Sequence, residues 1–229
     1  EKYNYDITNL KVKVNNKKVI KKKQFLNWYK TFRDNYGRQL VKDLDIRVCP
    51  YCNRNFIDFD DENYTSAQLD HFFNKNKYYI FALSLSNLIP CCSDCNHNKL
   101  TNDFKISPYD AKYKTDDLLT FKYRKSTNNN RNYDIYIESN VKDYKEQAET
   151  LKLKERYSSH DYIVDDIKEK LRIYPMVYCE KLKEYFTNKD IDFDMLFYGV
   201  YFTEDKYYLR PLSKFTADIL KQLKSDSRS

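Results

Sequence analysis

Glycine is nearly absent: Gly37 and Gly199 are the only two in 229 residues. A phosphate-cradling loop needs several glycines so that its backbone can approach the ligand. No dinucleotide-binding or P-loop fingerprint can therefore be assembled here. Long apolar runs are absent as well. No stretch of about 18 apolar residues occurs, so no segment is expected to cross a membrane. The first twenty residues, Glu1 to Ile20, are polar and lysine-rich and lack the apolar stretch of a signal peptide. A starting Met is also missing, so the chain is expected to be trimmed or excised from something longer. These absences lead to the expectation of a cytoplasmic protein. The length suits one large domain, or a small catalytic module with helical flanks. The apolar fraction of 41% is low-normal, but 23 Tyr and 14 Phe supply bulky core material.

Charge is unevenly placed. The net charge is +7, and residues 1–44 hold 12 Lys/Arg against 4 Asp/Glu, a local excess of 8. The middle of the chain, 45–110, is acidic. That pattern fits an acidic metal centre beside a basic surface that holds a polyanion, with Lys17, Lys18, Lys21, Lys22 and Lys23 as its densest run. It equally fits a solvated face that keeps a Tyr-rich chain soluble.

A coarse reading places a small edge strand at Leu10, Val12 and Val14. A helix is expected over 22–44, where Phe25, Leu26, Trp28, Tyr29 and Phe32 recur at helical offsets, with Gly37 interrupting or capping it. Beyond Pro108, Leu118–Tyr123 and Tyr133–Glu138 alternate like strands around the polar link Ser126-Thr127-Asn128-Asn129-Asn130, which predicts a hairpin. Residues 141–187 read as two or more helices with breaks near Ser158-Ser159 and Pro175, Ser159 capping a helix that starts near His160. A last helix is expected from Ser213 through Leu223. No internal repeat or long linker is present, so the flanks are expected to pack on the middle segment.

Six cysteines are present, and four form two CxxC pairs, Cys49-Pro50-Tyr51-Cys52 and Cys92-Ser93-Asp94-Cys95, with 39 residues between them. Each pair turns the backbone into a knuckle that aims two thiolates at one point. Two knuckles close a tetrahedral shell, and a four-thiolate shell is structural rather than catalytic. The long gap suggests something functional inserted between the staples. CxxC also serves redox chemistry, but a second complete pair argues for metal. Cys91 competes with Cys92 as a ligand, although only Cys92 keeps the interval; Cys91 reads as a small buried side chain and Cys179 as a helical core residue.

Inside the gap lies the strand-like run Gln68-Leu69-Asp70-His71-Phe72-Phe73, followed by Ser86-Asn87-Leu88-Ile89-Pro90 and then by Asn96-His97-Asn98-Lys99. Neighbouring Asp and His point to opposite faces of a regular strand, yet both address one site where the strand bends or ends. An isolated His on an apolar strand is more often a satisfied core residue, and an Asp beside it is common by chance. Their coincidence with two CxxC pairs and with an Asn just beyond the last cysteine sets this run apart. The acidic cluster Asp58, Asp60, Asp61 and Glu62 reads as a solvated hairpin loop, and His160 as structural.

Residues 49–99 resemble the HNH, or ββα-metal, endonuclease family. The matching stretches are Cys49–Cys52, Asp70-His71, Asn87-Leu88, Cys92–Cys95, Asn96 and Lys99, in family order. The fuller form CPYCNRNF … LDHFFNKNKY … ALSLSNLIPCCSDCNHNK, with Leu209-Arg210-Pro211-Leu212-Ser213-Lys214, is similar to a bacterial subgroup linked to phage defence that includes the nuclease partners of Septu and retron systems.

The implied fold class is α+β: a zinc-stapled ββα-metal core over 45–110, a basic and largely helical flank over 1–44, and an α+β, mainly helical flank with a hairpin over 111–229. The implied activity is metal-dependent hydrolysis of phosphodiester bonds in nucleic acid, DNA before RNA. In that scheme Cys49, Cys52, Cys92 and Cys95 hold structural Zn2+. Neutral His71 is the general base, and Asp70 and Asn96 bind a catalytic Mg2+ or Mn2+. Asn87 braces the loop and orients His71, and Lys99 meets a phosphate. Many relatives carry His where this chain has Asn96, which leaves His97 as a rival ligand. An ATPase or other defence-system subunit is the implied protein partner. The competing function is a non-catalytic zinc-stapled nucleic-acid-binding module. A zinc deaminase is set aside, because no His-x-Glu occurs.

Overall fold

The computed structural model describes residues 12–14, 18–60, 64–127, 130–186 and 191–226. Leu10, Lys17, Asp61, Glu62, Asn128 and Asn129, which figure in the expectations above, lie outside them. The described chain is α+β, with three separate two-stranded antiparallel sheets and a majority of helix. Among the described residues no helix is long and apolar enough to cross a membrane. Two compact units emerge, one drawn from residues 1–51 and 57–110, the other from 52–56 and 111–229. By this division Cys52, the last residue of the first knuckle, and the four residues after it fall with the C-terminal unit.

The first unit begins with β1 (Val12–Val14) paired to β2 (Lys18–Ile20), followed by α1 (Lys22–Leu44). Helix α1 starts where the Gln24 side chain accepts from the Lys21 backbone N–H at 2.9 Å. It stops at Asp45, whose left-handed φ of 46° closes the last turn onto the Lys42 carbonyl. The helix runs straight through Gly37 rather than ending there. A β-carbon at Gly37 would stand 3.4 Å from Leu69 Cδ1, about van der Waals contact with that side chain. The apolar face of α1 buries Tyr29 beside Ala82 and Leu88, with Leu26, Phe32 and Leu40 packed around them.

Strand β3 (Gln68–His71) pairs antiparallel with β4 (Leu88–Cys91), Asp70 opposite Ile89 and His71 opposite Leu88. Every residue of β4 is buried, as its apolar Leu88-Ile89-Pro90-Cys91 composition demands. The chain turns directly into α2 (Ser93–Lys99), giving the order strand, strand, helix. The Asp58 carbonyl accepts from the Ser66 N–H at 2.9 Å, and Phe59 bridges to Thr65.

In the second unit the short α3 (Thr115–Leu118) precedes the hairpin of β5 (Thr120–Lys125) and β6 (Tyr133–Glu138). Phe121 and Tyr123 of β5 are buried, while Arg124 and Lys125 face solvent, the period-two pattern of a half-buried strand. The outer edge of β5 is covered by α9 (Ser213–Asp226). Asp218 accepts from the Phe121 N–H, and Gln222 bonds both the N–H and the carbonyl of Tyr123. A strand edge that would otherwise offer unpaired backbone groups is thereby satisfied by side chains.

Between hairpin and α9 come α4 (Lys142–Thr150), α5 (Leu153–Tyr157), α6 (Tyr162–Ile173), α7 (Met176–Tyr185) and α8 (Phe193–Tyr198). The break near Ser158-Ser159 is a 3-10 turn over Ser158–His160, and Ser159 caps nothing: its hydroxyl donates back to the Arg156 carbonyl. Lys152, at a φ of 53°, makes a further break that the sequence pattern did not mark. Cys179 on α7 is half-buried rather than a core residue. The core of this unit is an aromatic triad, with Phe121, Tyr157 and Phe215 ring centroids 4.3 to 5.3 Å apart.

Candidate metal centre and the Asp70-His71 site

The two CxxC knuckles meet. Cys49, Cys52, Cys92 and Cys95 are all buried, and their sulfur atoms lie within 4.8 Å of one another. A zinc–sulfur bond of about 2.3 Å puts tetrahedral sulfurs about 3.8 Å apart, which fits this cluster. The knuckle geometry follows from local backbone. Asn53, just after Cys52, takes a left-handed φ of 46°, and Cys92 is the residue from which α2 starts. Cys52 is further held by its carbonyl, which accepts from the buried Tyr157 hydroxyl at 2.6 Å, and by the Arg156 guanidinium 3.7 Å from its sulfur. Cys91 stands outside the cluster, buried, with its thiol pushed up in pKa by burial and then by Asp70. These four cysteines could hold a metal such as zinc.

Asp70 is buried at 3% exposure on β3. Its carboxylate is engaged on both oxygens: Lys99 Nζ lies 3.2 Å from Oδ1 and 3.1 Å from Oδ2, and Tyr51 donates its hydroxyl to Oδ2 at 2.7 Å. The same ammonium donates to the His71 carbonyl at 2.9 Å. Lys99 is only 1% exposed and lies near the Phe104 ring. It therefore does not present its charge to a phosphate, as the resemblance implied, but ties α2 to β3 from inside. Burial, then the neighbouring Asp70, raises the Tyr51 phenol well above its ordinary pKa, so it remains a donor.

His71 ends β3 with its ring turned the other way. Nε2 lies 3.1 Å from the Ala82 carbonyl, which can only accept, so Nε2 carries the proton and Nδ1 keeps the lone pair. Burial first, then Lys75, lowers the His71 pKa to about 4, with Lys99 adding to the effect and the Ala82 bond opposing it. The ring is neutral at ordinary pH. Tyr29 of α1 meets it edge-on at 4.3 Å between centroids.

Asn87 closes the loop between β3 and β4. Its Oδ1 accepts from the Phe73 N–H at 2.6 Å, and its Nδ2 donates to the Phe73 and Phe81 carbonyls at 3.2 and 3.0 Å. Because Phe81 precedes Ala82, this amide holds in place the carbonyl that fixes the His71 ring.

Asn96 on α2 is half-buried and donates to Gln68 Oε1 at 2.6 Å, two residues before Asp70 on the strand. It makes no hydrogen bond to Asp70 among the described residues. His97 is exposed. Both oxygens of Asp70, assigned by resemblance to a catalytic Mg2+ or Mn2+, are thus already engaged by Lys99 and Tyr51, while Asn96 is held to Gln68 through its amide nitrogen. The donor set as arranged does not fit a divalent cation, which would first have to displace a buried ammonium.

Three residues beside the site carried no separate signal in the sequence. Tyr51 sits inside the first knuckle, Tyr29 looks like any member of an apolar stripe, and Lys75 is one lysine among many. Lys75 lies over the Tyr29 ring, its Nζ 4.7 Å from the centroid. Compared with family models, with curated proteins and with solved structures, the chain matches none.

Proposed function

We propose that the chain is an HNH-type endonuclease that hydrolyses phosphodiester bonds of nucleic acid, DNA in preference to RNA, with His71 as general base. The observation that carries this reading is the state of His71. Its Nε2 is fixed on the Ala82 carbonyl, the neighbouring Phe81 carbonyl is held by Asn87, and Nδ1 is thereby left as the proton-accepting nitrogen of the ring. The order of β3, β4 and α2, with His71 ending the first strand, Asn87 preceding the second and Asn96 on the helix, supports the same assignment. Zinc on the four cysteines is structural in this reading, since a closed thiolate shell leaves no position for substrate. A divalent cation, Mg2+ or Mn2+ on Asp70 and Asn96, belongs to the reading by resemblance alone. So do a cytoplasmic setting, an anti-phage role and an ATPase or other defence-system partner.

One observation favours a second reading, a zinc-stapled nucleic-acid-binding module without catalysis: Asp70 is saturated by Lys99 and Tyr51. Incubation of zinc-loaded protein with duplex and single-stranded DNA and with RNA, with and without added Mg2+ or Mn2+, separates the two. Cleavage that depends on the added cation supports the nuclease. Binding without cleavage under every condition supports the module.

A further inference from the structure

The charges around His71 do not balance. The electrostatic neighbours of Tyr29, His71 and Lys75 are three cations, Arg33, Lys75 and Lys99, and two carboxylates, Asp34 and Asp70. Arg33 pairs with Asp34 at 2.7 Å, and Lys99 with Asp70. Lys75 is left over. Among the described residues no acceptor lies within hydrogen-bond or ion-pair range of its ammonium, although the side chain is half-buried. Burial, then Arg33, works against its charged form, and Asp70 only partly offsets this.

Its position is nonetheless defined. Lys75 sits in the loop after β3, and the Asn74 carbonyl nearby accepts from the N–H groups of Lys77 and Tyr78. Its ammonium rests on the face of Tyr29, the same ring whose edge meets His71. A half-desolvated cation held beside His71, with no anion paired to it among the described residues, is complementary to an anionic oxygen from solution. By contrast Lys77, two residues on, is exposed and already paired with Asp103 at 2.9 Å.

We propose that Lys75 is the residue that binds the substrate phosphate next to His71, the role the family resemblance gave to Lys99. The proposal rests on the nucleic-acid reading above but not on catalysis. The ligand is a phosphodiester oxygen of the polynucleotide backbone, so the contact carries no base preference.

The test is the salt dependence of binding, measured by anisotropy of labelled duplex and single-stranded DNA with the full chain, zinc-loaded and without added divalent cation. Losing one phosphate contact should lower the slope of log K against log salt by about 0.9 on duplex and about 0.7 on single strands. Between 50 and 200 mM salt, Lys75→Gln should then lose about threefold less affinity than the parent. Lys75→Arg and Lys77→Gln should keep the parental slope. Lys75→Met, which retains the alkyl stem on Tyr29, replaces Lys75→Gln if zinc content or melting temperature shows that the latter has loosened the loop. A parental slope in the neutral variants, or a lowered slope in Lys75→Arg, overturns the proposal while the nucleic-acid reading stands. A parent chain that binds neither DNA overturns both.

Discussion

Replacing Lys99 by Met removes an ammonium from a place where nothing can substitute for it. The pair it forms with Asp70 has side-chain exposures of 1% and 4%, and the ammonium spans both carboxylate oxygens at 3.1 and 3.2 Å while donating to the His71 carbonyl. In Lys99→Met the Asp70 carboxylate remains buried with the Tyr51 hydroxyl as its one side-chain donor. Removing one partner of a buried pair costs about 3–5 kcal/mol, mostly because the survivor is left charged and unsolvated. Against a total stability of about 5–15 kcal/mol this is a large share. Asp70→Asn removes the opposite charge, and the double variant removes both, so the doubly neutral site should be more stable than the sum of the single losses implies. A coupling energy of about 2–3 kcal/mol is expected. The assay is urea unfolding at fixed free zinc, because bound metal adds its own stabilisation by mass action. A Lys99→Met cost below about 1 kcal/mol, the value of a solvent-exposed pair, would refute the reasoning. So would an additive cycle.

Other consequences follow from the same geometry. Natively purified protein should carry one zinc per chain, and Cys49→Ser or Cys95→Ser should lose both the metal and the folded state, as read by metal analysis and circular dichroism. Asn87→Ala deletes three hydrogen bonds in the β3–β4 loop and should cost about 1–3 kcal/mol, with turnover falling through misplacement of His71; an unchanged urea midpoint would contradict the bracing role. For pH, the His71 pKa is about 4 in the fold against 6.5 ordinarily, so the unfolded chain takes up the proton first. Its stabilising contribution is therefore complete above about pH 6.5 and lost as pH falls toward about 4, at most about 3 kcal/mol. The measurement is the difference in unfolding free energy between parent and His71→Asn across that window. It should shrink with acidification, and a constant difference would contradict the assignment.

Much of the local structure was legible because it depends on short-range pattern. The span of α1 followed from the recurrence of Phe25, Leu26, Tyr29 and Phe32, and the β5–β6 hairpin from alternation around a polar link. The four-cysteine cluster followed from the two CxxC intervals alone. Gly37 misled because glycine is a common helix terminator, whereas here it lies buried inside α1, packed against the Leu69 side chain from a strand distant in sequence. Lys99 misled for a similar reason. Helical spacing puts it near Asn96 on α2, but whether a lysine faces water or a buried carboxylate is decided by Asp70 and Tyr51, which lie far away along the chain. Tyr29 meets His71 only through tertiary packing, and Lys75, though four residues from His71 in sequence, is placed on the Tyr29 ring by that same packing.

The central claim is that His71 acts chemically and is not merely a buried core histidine. Its most direct test compares parent and His71→Ala in a cleavage assay on DNA with added Mg2+ or Mn2+, at equal zinc content and equal far-UV circular dichroism. The account predicts a folded, zinc-loaded variant that has lost cleavage by roughly 10²–10⁴-fold, the usual effect of removing a general base. A folded, zinc-loaded His71→Ala protein that cuts at the parental rate would contradict it.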